Sequence, residues 1–496
     1  MDLASDLVLY SARAADAVAA LPKQLFIGGE WVDGSAGATY DVLDPATGSV
    51  ICAVADARAE DGLRAIRAAH EAQRSFAATS PRERADILMA AFRLLHENID
   101  RLALIMTLEM GKPLAESRDE IAYAAEFFRH FAQEATRIEG GYQTAPNGAS
   151  RLLVMKQPVG PSVLITPWNF PMAMGTRKIG PAIAAGCASV VKPAPQTPLS
   201  MLALAEILVE AGLPRGAVNV VTTTDAGGVT EQVIDSGLAR KLSFTGSTAV
   251  GRILLGQCAR QVMRTSMELG GNAAFLVFAD ADIDRAVEGA LAAKMRNGGE
   301  ACTAANRLYV HTDVIEEFSA KLAEAMAALP VGNGLADGVR LGPLIDAAAR
   351  EKVHGLVSDA VDQGAEVLTG GEPLAGEGFF YPPTVLTEVP ATARLMREEI
   401  FGPVAPIISF STEQEAIAAA NDTEFGLVGY VYTRDLDQAL RVAEALETGM
   451  VGLNQGVVSN PAAPFGGVKA SGLGREGGNT GLDEYLEIKY VGIAVS

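Results

Sequence analysis

The chain has 496 residues, of which 49% are hydrophobic and 20% charged, so it contains enough apolar material for a large core and too much for a disordered protein. Forty basic against sixty acidic residues give a net charge of -20, which repels phosphate backbones and argues against nucleic acid as a partner. No apolar run approaches the ~18 residues of a membrane span, and the start of the chain is acidic where a secretory signal is basic. We therefore expect a cytoplasmic protein with no membrane partner.

Secondary-structure signals change near residue 150. Before it, Ala-rich helical periodicity at 60–76 and 81–99 and few strand signals ahead of Leu152 predict a helical cover. After it, strands and helices alternate, which predicts a parallel, doubly wound sheet. The predicted strands are 162–166, 188–192, 217–221 and 241–244; the predicted helices are 176–185, a helix after Thr197 as N-cap, 227–236 and 248–259.

A second α/β unit follows Gly270 and Gly271, with predicted strands at 272–278 and 307–311 and predicted helices at 282–295 and 314–329. The segment 485–495 has the pattern of a strand without a hairpin partner nearby in sequence, which favours pairing in an oligomer. The predicted fold is therefore α/β, with two doubly wound Rossmann-like domains and a small β oligomerisation element.

Cysteine and histidine spacing points to no metal site. Cys52, Cys187, Cys258 and Cys302 lie far apart and form no CxxC pair, so reduced thiols are expected. The five histidines make no HExxH or similar spacing, and the prediction is that the protein binds no metal.

Three residues carry the strongest chemical signals. Cys302 follows a Gly-rich turn next to a helix, which suits a nucleophile, although on local context a cysteine is more often simply buried. Glu268 directly precedes two glycines and an apolar strand, where it can activate water or serve as a turn or helix-cap residue. Asn169 follows a buried strand, and its amide can donate to an oxyanion or merely close a turn.

Together these segments resemble the aldehyde dehydrogenase superfamily, and the match runs from 26–31 through 399–403 to 464–469. The resemblance implies that Cys302 is the nucleophile, Glu268 the general base and Asn169, with the backbone N–H of Cys302, the oxyanion hole. It also implies that Lys178 orients these groups. In this mechanism the thiohemiacetal carbon gives a hydride to an oxidised nicotinamide, and Glu268 activates the water that hydrolyses the remaining thioester.

The resemblance also implies a dinucleotide site on the first sheet. Gly246 and Ser247 join a strand to a helix and are expected at the pyrophosphate; their spacing is not GxGxxG, which is the usual departure in this family. NAD-preferring members often have a glutamate where this chain has Pro195, so we expect NADP, with some use of NAD. The remaining expected cofactor contacts are Ile165, Thr166, Pro167, Trp168, Lys192, Ala194, Leu269, Glu399 and Phe401.

Arg177, Arg296 and Ser459 match the carboxylate-binding set of succinate-semialdehyde dehydrogenases, and Phe170 and Phe465 complete the expected substrate contacts. The resemblance thus implies oxidation of succinate semialdehyde to succinate, as in γ-aminobutyrate degradation, by a homodimer or homotetramer. Glutarate semialdehyde is the nearest alternative, since one methylene is worth only ~1–3 kcal/mol in a pocket. The intact catalytic set argues against a silent homologue, and the presence of a general base argues against acyl transfer to coenzyme A.

The expected domains are a discontinuous cofactor-binding domain (1–138 and 160–269), a catalytic domain with the nucleophilic cysteine (270–470) and oligomerisation strands (139–159 and 482–496). Three positions depart from the family pattern. Ala304 replaces a second cysteine found in many relatives, so a regulatory disulfide is not expected. Glu300 would raise the pKa of the Cys302 thiol if it faced it. Thr223 replaces a common glycine at the adenine end.

Overall fold

The computed structural model describes residues 3–495, which form two large sheets flanked by helices, one three-stranded sheet and one hairpin. The helices are α1 (Leu3–Ala19), α2 (Ala59–Ala77), α3 (Pro81–Glu97), α4 (Ile99–Met110), α5 (Leu114–Ala135), α6 (Pro171–Ala185), α7 (Leu199–Glu210), α8 (Ala226–Asp235), α9 (Thr248–Ala259), α10 (Ile283–Met295), α11 (Ile315–Ala327), α12 (Ala347–Asp362), α13 (Glu413–Asn421), α14 (Leu436–Ala445) and α15 (Gly478–Asp483). The strands are β1 (Leu25–Ile27), β2 (Glu30–Val32), β3 (Thr39–Leu43), β4 (Val50–Ala55), β5 (Gly141–Thr144), β6 (Ser150–Pro158), β7 (Ser162–Ile165), β8 (Ser189–Lys192), β9 (Val218–Val220), β10 (Lys241–Thr245), β11 (Arg264–Glu268), β12 (Ala273–Val277), β13 (Ala305–His311), β14 (Glu366–Thr369), β15 (Thr384–Thr387), β16 (Val404–Phe410), β17 (Val428–Tyr432), β18 (Met450–Leu453), β19 (Gly472–Leu473) and β20 (Leu486–Ala494).

The first large sheet has the order β19-β11-β10-β7-β8-β9-β1-β2. Its five central strands, β11 to β9, are parallel. Each of β7, β8 and β10 is buried along its whole length, as expected for strands covered by helices on both faces. The doubly wound sheet predicted from the β-α alternation is confirmed.

The start of the chain is not the purely helical cover that its periodicity predicts. β1 and β2 form a hairpin that extends the first sheet, and β3 pairs with β4 in a separate hairpin. The strands β1 and β2 have three residues each, too few for a period-two pattern to emerge. β1 joins the sheet through the pair Phe26↔Val220, a contact that no local signal announces.

The second large sheet has the order β14-β15-β16-β13-β12-β17-β18 and is parallel apart from its edge strand β14. The second α/β unit expected after Gly271 is therefore present. The carboxyl ends of β7, β10 and β11 in the first sheet face the segment that leads into β13 of the second. This junction positions the candidate site.

Two helix starts differ from the predicted ones because distant carboxylates cap them. Helix α6 begins at Pro171, five residues before the predicted start at 176, and Glu120 of α5 accepts hydrogen bonds from the N–H groups of Met172 and Ala173. At α7, Thr197 makes no capping hydrogen bond. Glu109 of α4 instead accepts the N–H groups of Leu199 and Ser200, at 2.7 and 2.8 Å, so the prediction of Thr197 as N-cap is wrong.

The C-terminal strand predicted at 485–495 is present, and its partner within the chain lies far away in sequence. β20 pairs antiparallel with β6 from Leu486↔Pro158 to Ala494↔Ser150, and β5 pairs with the other side of β6. Ile488 and Tyr490 of β20 stay 71% and 59% exposed. The oligomerisation role of these strands stays a prediction. No helix in the described part of the chain is long and apolar enough to cross a membrane.

Candidate active site

A cavity of about 270 Å³ lies at the junction of the two large sheets. Most of the residues predicted from the sequence line it, namely Pro167, Trp168, Asn169, Phe170, Arg177, Gly246, Ser247, Glu268, Leu269, Arg296, Cys302, Glu399, Phe401, Ser459 and Phe465. Six predicted residues do not line it, namely Ile165, Thr166, Lys178, Lys192, Ala194 and Pro195. The structure thus brings together groups separated by up to three hundred positions in the sequence.

The loop that carries Cys302 has an unusual backbone. Asn297, Gly298 and Gly299 have φ angles of +54°, +62° and +78°, a left-handed run that ends α10 abruptly. A Cβ at Gly299 would lie 2.2 Å from the Gly402 carbonyl oxygen, so only glycine fits there. The Tyr430 hydroxyl donates to the Thr303 carbonyl at 2.8 Å on the far side of the cysteine. Cys302 is therefore held from both sides.

Burial raises the pKa of the Cys302 thiol to about 12. The positive charge of Arg177 opposes this rise, while Glu399 and Glu268 add to it. The thiol is consequently protonated at neutral pH until a proton acceptor or a positive charge comes closer. Glu300 does not face the thiol: its side chain is buried and accepts the Ile345 N–H at 3.1 Å, so the condition for the effect expected of it is not met.

Asn169 lies between β7 and α6, next to the cysteine loop. Its side-chain Nδ2 donates to the Glu300 carbonyl at 2.9 Å, which leaves the second N–H of the amide available. Its backbone carbonyl accepts Lys112 Nζ at 2.7 Å and Asn297 Nδ2 at 3.0 Å. The amide expected to bind an oxyanion is thus tied directly to the loop that carries the nucleophile.

Glu268 is the last residue of β11 and is buried, yet neither carboxylate oxygen has a hydrogen-bond partner in the described part of the chain. Burial raises its pKa well above the usual range, and the nearby carboxylate of Glu476 raises it further, against Lys178 and Arg177. A carboxylate whose pKa is raised in this way is a stronger base than an ordinary glutamate. A buried carboxyl with unpartnered oxygens is also where a water molecule is needed.

Lys178 does not reach the cavity. Its Nζ lies 2.5 Å from Glu476 Oε1 and donates to Ser243 Oγ at 2.9 Å. Glu476 is not among the residues predicted from the sequence; the signal available for it is an acidic residue directly before two glycines, Gly477 and Gly478. Any effect of Lys178 on Glu268 passes through this ion pair and its charge.

The cofactor side of the cavity suits a phosphate-bearing ligand. Helix α9 points its N-terminus toward Gly246 and Ser247, and Ser247 is its N-cap. The Thr166 and Thr245 hydroxyls are buried and have no hydrogen-bond partner among the described residues. Lys192 is buried and forms no ion pair with a carboxylate of residues 3–495, and burial lowers its pKa to about 8. These donors are arranged for a group that the protein alone does not supply.

Aromatic and acidic groups meet at the inner end of this side. The Trp168 and Phe401 rings lie 5.3 Å apart, edge to face, and Phe401 has a φ of +57°, uncommon for a bulky residue. Glu399 accepts the Gly271 N–H at 3.1 Å, and burial raises its pKa to about 7. Thr223, at the outer end, donates to the Ala57 carbonyl at 2.8 Å.

Two arginines converge on the other side of the cavity. Arg177 is buried, lies 4.1 Å from the centre of the Phe465 ring and donates to the Tyr123 hydroxyl at 2.7 Å. It is also 3.7 Å from Glu476, while its Nε–H has no hydrogen-bond partner in the part of the chain that the structure describes. Arg296 lies 4.9 Å from the centre of the Phe170 ring, and no carboxylate among residues 3–495 pairs with it. The contact between Arg177 and Tyr123 has no local signal in the sequence.

A cysteine beside an amide donor, a buried carboxyl without a partner in the described residues and a doubly wound sheet with a helix N-terminus at its edge are features expected of NAD(P)-dependent oxidoreductases that act through a thiol. The model of the aldehyde dehydrogenase family matches residues 31–491, and the chain belongs to this family. The resemblance inferred from the sequence is thereby confirmed.

Relatives and solved structures give the same result. The chain is 55% identical to a succinate-semialdehyde dehydrogenase of Paenarthrobacter nicotinovorans, over 90% of this chain and 99% of the relative. It is 53% identical to a glutarate-semialdehyde dehydrogenase of Pseudomonas putida, over 95% and 98%. The crystal structure of an NADP-dependent enzyme of Escherichia coli superposes with a TM-score of 0.94 at 52% identity, covering 96% of this chain and 98% of that one.

Proposed function

We propose that the protein oxidises succinate semialdehyde to succinate with NADP, and with NAD as a second acceptor. The observation that carries the proposal is the convergence on one cavity of a thiol, an amide donor and a buried carboxyl on one side and two arginines on the other. The first three groups suit oxidation of an aldehyde, and the arginines suit a substrate that is also an anion.

The chemistry follows from what each side chain can do. The Cys302 thiol loses its proton to solvent and attacks the aldehyde carbon as the thiolate, and the free N–H of the Asn169 amide donates to the oxygen that becomes negative. When bound, the nicotinamide supplies the acceptor for the hydride that leaves this carbon. Glu268 then takes a proton from a water molecule, which attacks the thioester on Cys302 and releases the acid. The unpartnered oxygens of Glu268 leave it free for this role.

The residues around α9 fit the cofactor. Gly246 and Ser247 would hold the pyrophosphate at the helix N-terminus. Lys192, buried and without a carboxylate partner in the described residues, would bind the adenosine ribose or its phosphate. Pro195 carries no charge that would repel a 2′-phosphate, so we propose NADP as the preferred cofactor.

The arginines determine the substrate class. Arg177 shares its charge with Glu476 at 3.7 Å, whereas Arg296 has no carboxylate partner in the described residues and Ser459 lines the same wall. A substrate carboxylate supplies the missing partner. Glutarate semialdehyde, which is one methylene longer, is the second candidate substrate, and the Pseudomonas putida relative is named as a glutarate-semialdehyde dehydrogenase.

A panel of aldehydes tests the proposal. Reduction of NADP and of NAD is followed with succinate semialdehyde, glutarate semialdehyde and butanal, and Cys302→Ala serves as the inactive control. We expect the highest kcat/KM for succinate semialdehyde with NADP. A higher kcat/KM for butanal than for either semialdehyde would contradict the carboxylate assignment, and turnover by Cys302→Ala would contradict the nucleophile.

Assembly and location complete the proposal. The exposed apolar side chains of Ile488, Tyr490 and Ile493 on β20 support a homodimer or homotetramer that covers this strand. Light scattering of the wild type and of a Tyr490→Lys variant tests it, with a smaller mass expected for the variant. We place the enzyme in the cytoplasm, as expected for reduced thiols.

A further inference from the structure

A buried ion pair lies directly behind the oxyanion-binding segment and takes no part in the proposed chemistry. Lys112 Nζ is 2.6 Å from Glu120 Oε2, and only 1% of each side chain is exposed. The same ammonium group donates to the backbone carbonyl of Asn169 at 2.7 Å and lies 4.3 Å from the centre of the Phe170 ring. It therefore contacts both residues that precede α6.

Glu120 holds the next two residues of the same segment. Its Oε1 accepts the N–H groups of Met172 and Ala173 at 3.0 and 3.1 Å. These amides belong to the first turn of α6 and have no partner within the helix. One ion pair thus fixes the chain on both sides of Pro171, from the carbonyl of Asn169 to the amide of Ala173.

Stability alone does not account for this arrangement. Removing two charges from water is costly, and a pair of apolar side chains of similar volume is often as stable or more so. What apolar side chains cannot do is donate to the Asn169 carbonyl while accepting from α6. The ion pair therefore fixes the backbone next to the reacting atoms through hydrogen bonds, which a pair of packed apolar side chains could not form.

We propose that Lys112 and Glu120 are positioning residues for the amide of Asn169. They fix the backbone so that the free N–H of this amide points to the oxygen that becomes negative when Cys302 attacks. The inference rests on the proposed function, in which Asn169 is the oxyanion donor. Neither residue of the pair lines the main cavity, so both act through Asn169.

Two reactions of Cys302 separate positioning of the oxyanion donor from damage to the nucleophile. Acylation by p-nitrophenyl acetate passes through a tetrahedral oxyanion, whereas alkylation by iodoacetamide occurs at a saturated carbon and forms none. Neither requires the cofactor. For Lys112→Met we expect acylation, and kcat/KM for the aldehyde, to fall about 10- to 100-fold. Alkylation of Cys302, followed by mass spectrometry of its peptide, should stay within about threefold of the wild type, because the cysteine loop keeps its own supports.

Two variants control for folding. Lys241, the first residue of β10, is another fully buried lysine, and its partners are Ser266 and Glu484. Lys241→Met should leave acylation per folded molecule unchanged. If Lys112→Met does not fold, the double variant Lys112→Met with Glu120→Gln replaces it. In that variant no buried charge is left unpaired, and the glutamine oxygen can still cap α6, yet the donor to Asn169 is gone.

The decisive comparison is between the effect of Lys112→Met in the wild type and its effect in an Asn169→Ala variant. In Asn169→Ala, the further change Lys112→Met should lower acylation by no more than about twofold, because the amide through which it acts is absent. A full additional loss there, equal losses of acylation and alkylation, or unchanged acylation in Lys112→Met would each overturn the positioning role. Unchanged acylation in Asn169→Ala itself would instead overturn the proposed oxyanion donor and, with it, the inference.

Discussion

Replacing the two arginines of the cavity should have different consequences, although both face the substrate carboxylate in the proposed function. Arg296 packs on the Phe170 ring and has no carboxylate partner in the described residues, and its charge lowers the pKa of Cys302 less than that of Arg177 does, so Arg296→Met removes mainly the interaction with the substrate. Arg177 also donates to Tyr123, lies near Glu476 and is the charge that most strongly opposes the raised pKa of Cys302. Its loss therefore reaches the nucleophile as well.

The magnitude for Arg296→Met follows from one interaction. A hydrogen bond to a charged group contributes about 1.5–3 kcal/mol, which corresponds to a loss of about 10- to 150-fold in kcat/KM for succinate semialdehyde. Butanal, which has no carboxylate, should lose less than about threefold. Arg177→Met should lose at least as much with succinate semialdehyde and should also slow butanal, because the pKa of Cys302 rises further.

Steady-state kinetics of the wild type, Arg296→Met and Arg177→Met with both aldehydes measure this difference. Arg441→Met, which removes an exposed arginine paired with Glu413, serves as the control for a change in overall charge. The reasoning would be refuted if Arg296→Met slowed both aldehydes equally, or neither. Either result would mean that Arg296 does not bind the carboxylate and would reopen the substrate in favour of an uncharged aldehyde.

Three further predictions concern the base, the cofactor and the thiol. Glu268→Gln should give a burst of reduced cofactor, seen by stopped flow, and then stall at the thioester; normal steady-state turnover would exclude Glu268 as the base. Pro195→Glu should shift the ratio of kcat/KM values toward NAD, and an unchanged ratio would show that position 195 does not face the ribose phosphate. In the cofactor-free enzyme, the rate of Cys302 alkylation should rise about tenfold per pH unit through neutral pH, because a pKa of about 12 leaves only a small fraction of the thiol as the reactive thiolate. A rate that stops rising below pH 9 would contradict this prediction, since the rate levels off only above the pKa.

Much of the fold follows from local signals in the sequence. The apolar run at 162–166 predicts a strand and the periodic segment at 248–259 predicts a helix, both almost to the residue. A strand buried on both faces is continuously apolar, whereas a helix with one buried face is apolar every third or fourth residue, so the two patterns differ. The short strands β1 and β2 leave none, since three residues cannot display a period. They form only because β9 offers an edge with which to pair.

The chemical identity of the site was also available from the sequence. Cys302, Glu268 and Asn169 each lie beside glycines, prolines or buried strands, and those neighbours distinguish them from ordinary polar residues. The family resemblance then gave each a role. Each motif contains a side chain that we propose to react together with the neighbours that set its backbone conformation, so both can be recognised from the local sequence.

Only the tertiary structure decided which charges meet. Glu120 caps a helix 52 residues further on, Glu109 caps one 90 residues away, and Lys178 pairs with Glu476 across 298 positions. Propensity and periodicity act over a few residues, whereas the partner of a buried charge depends on how whole elements pack. The sequence predicted the groups that we propose to react and most of the elements that carry them; the packing of α4, α5 and the C-terminal segment determined how those groups are held.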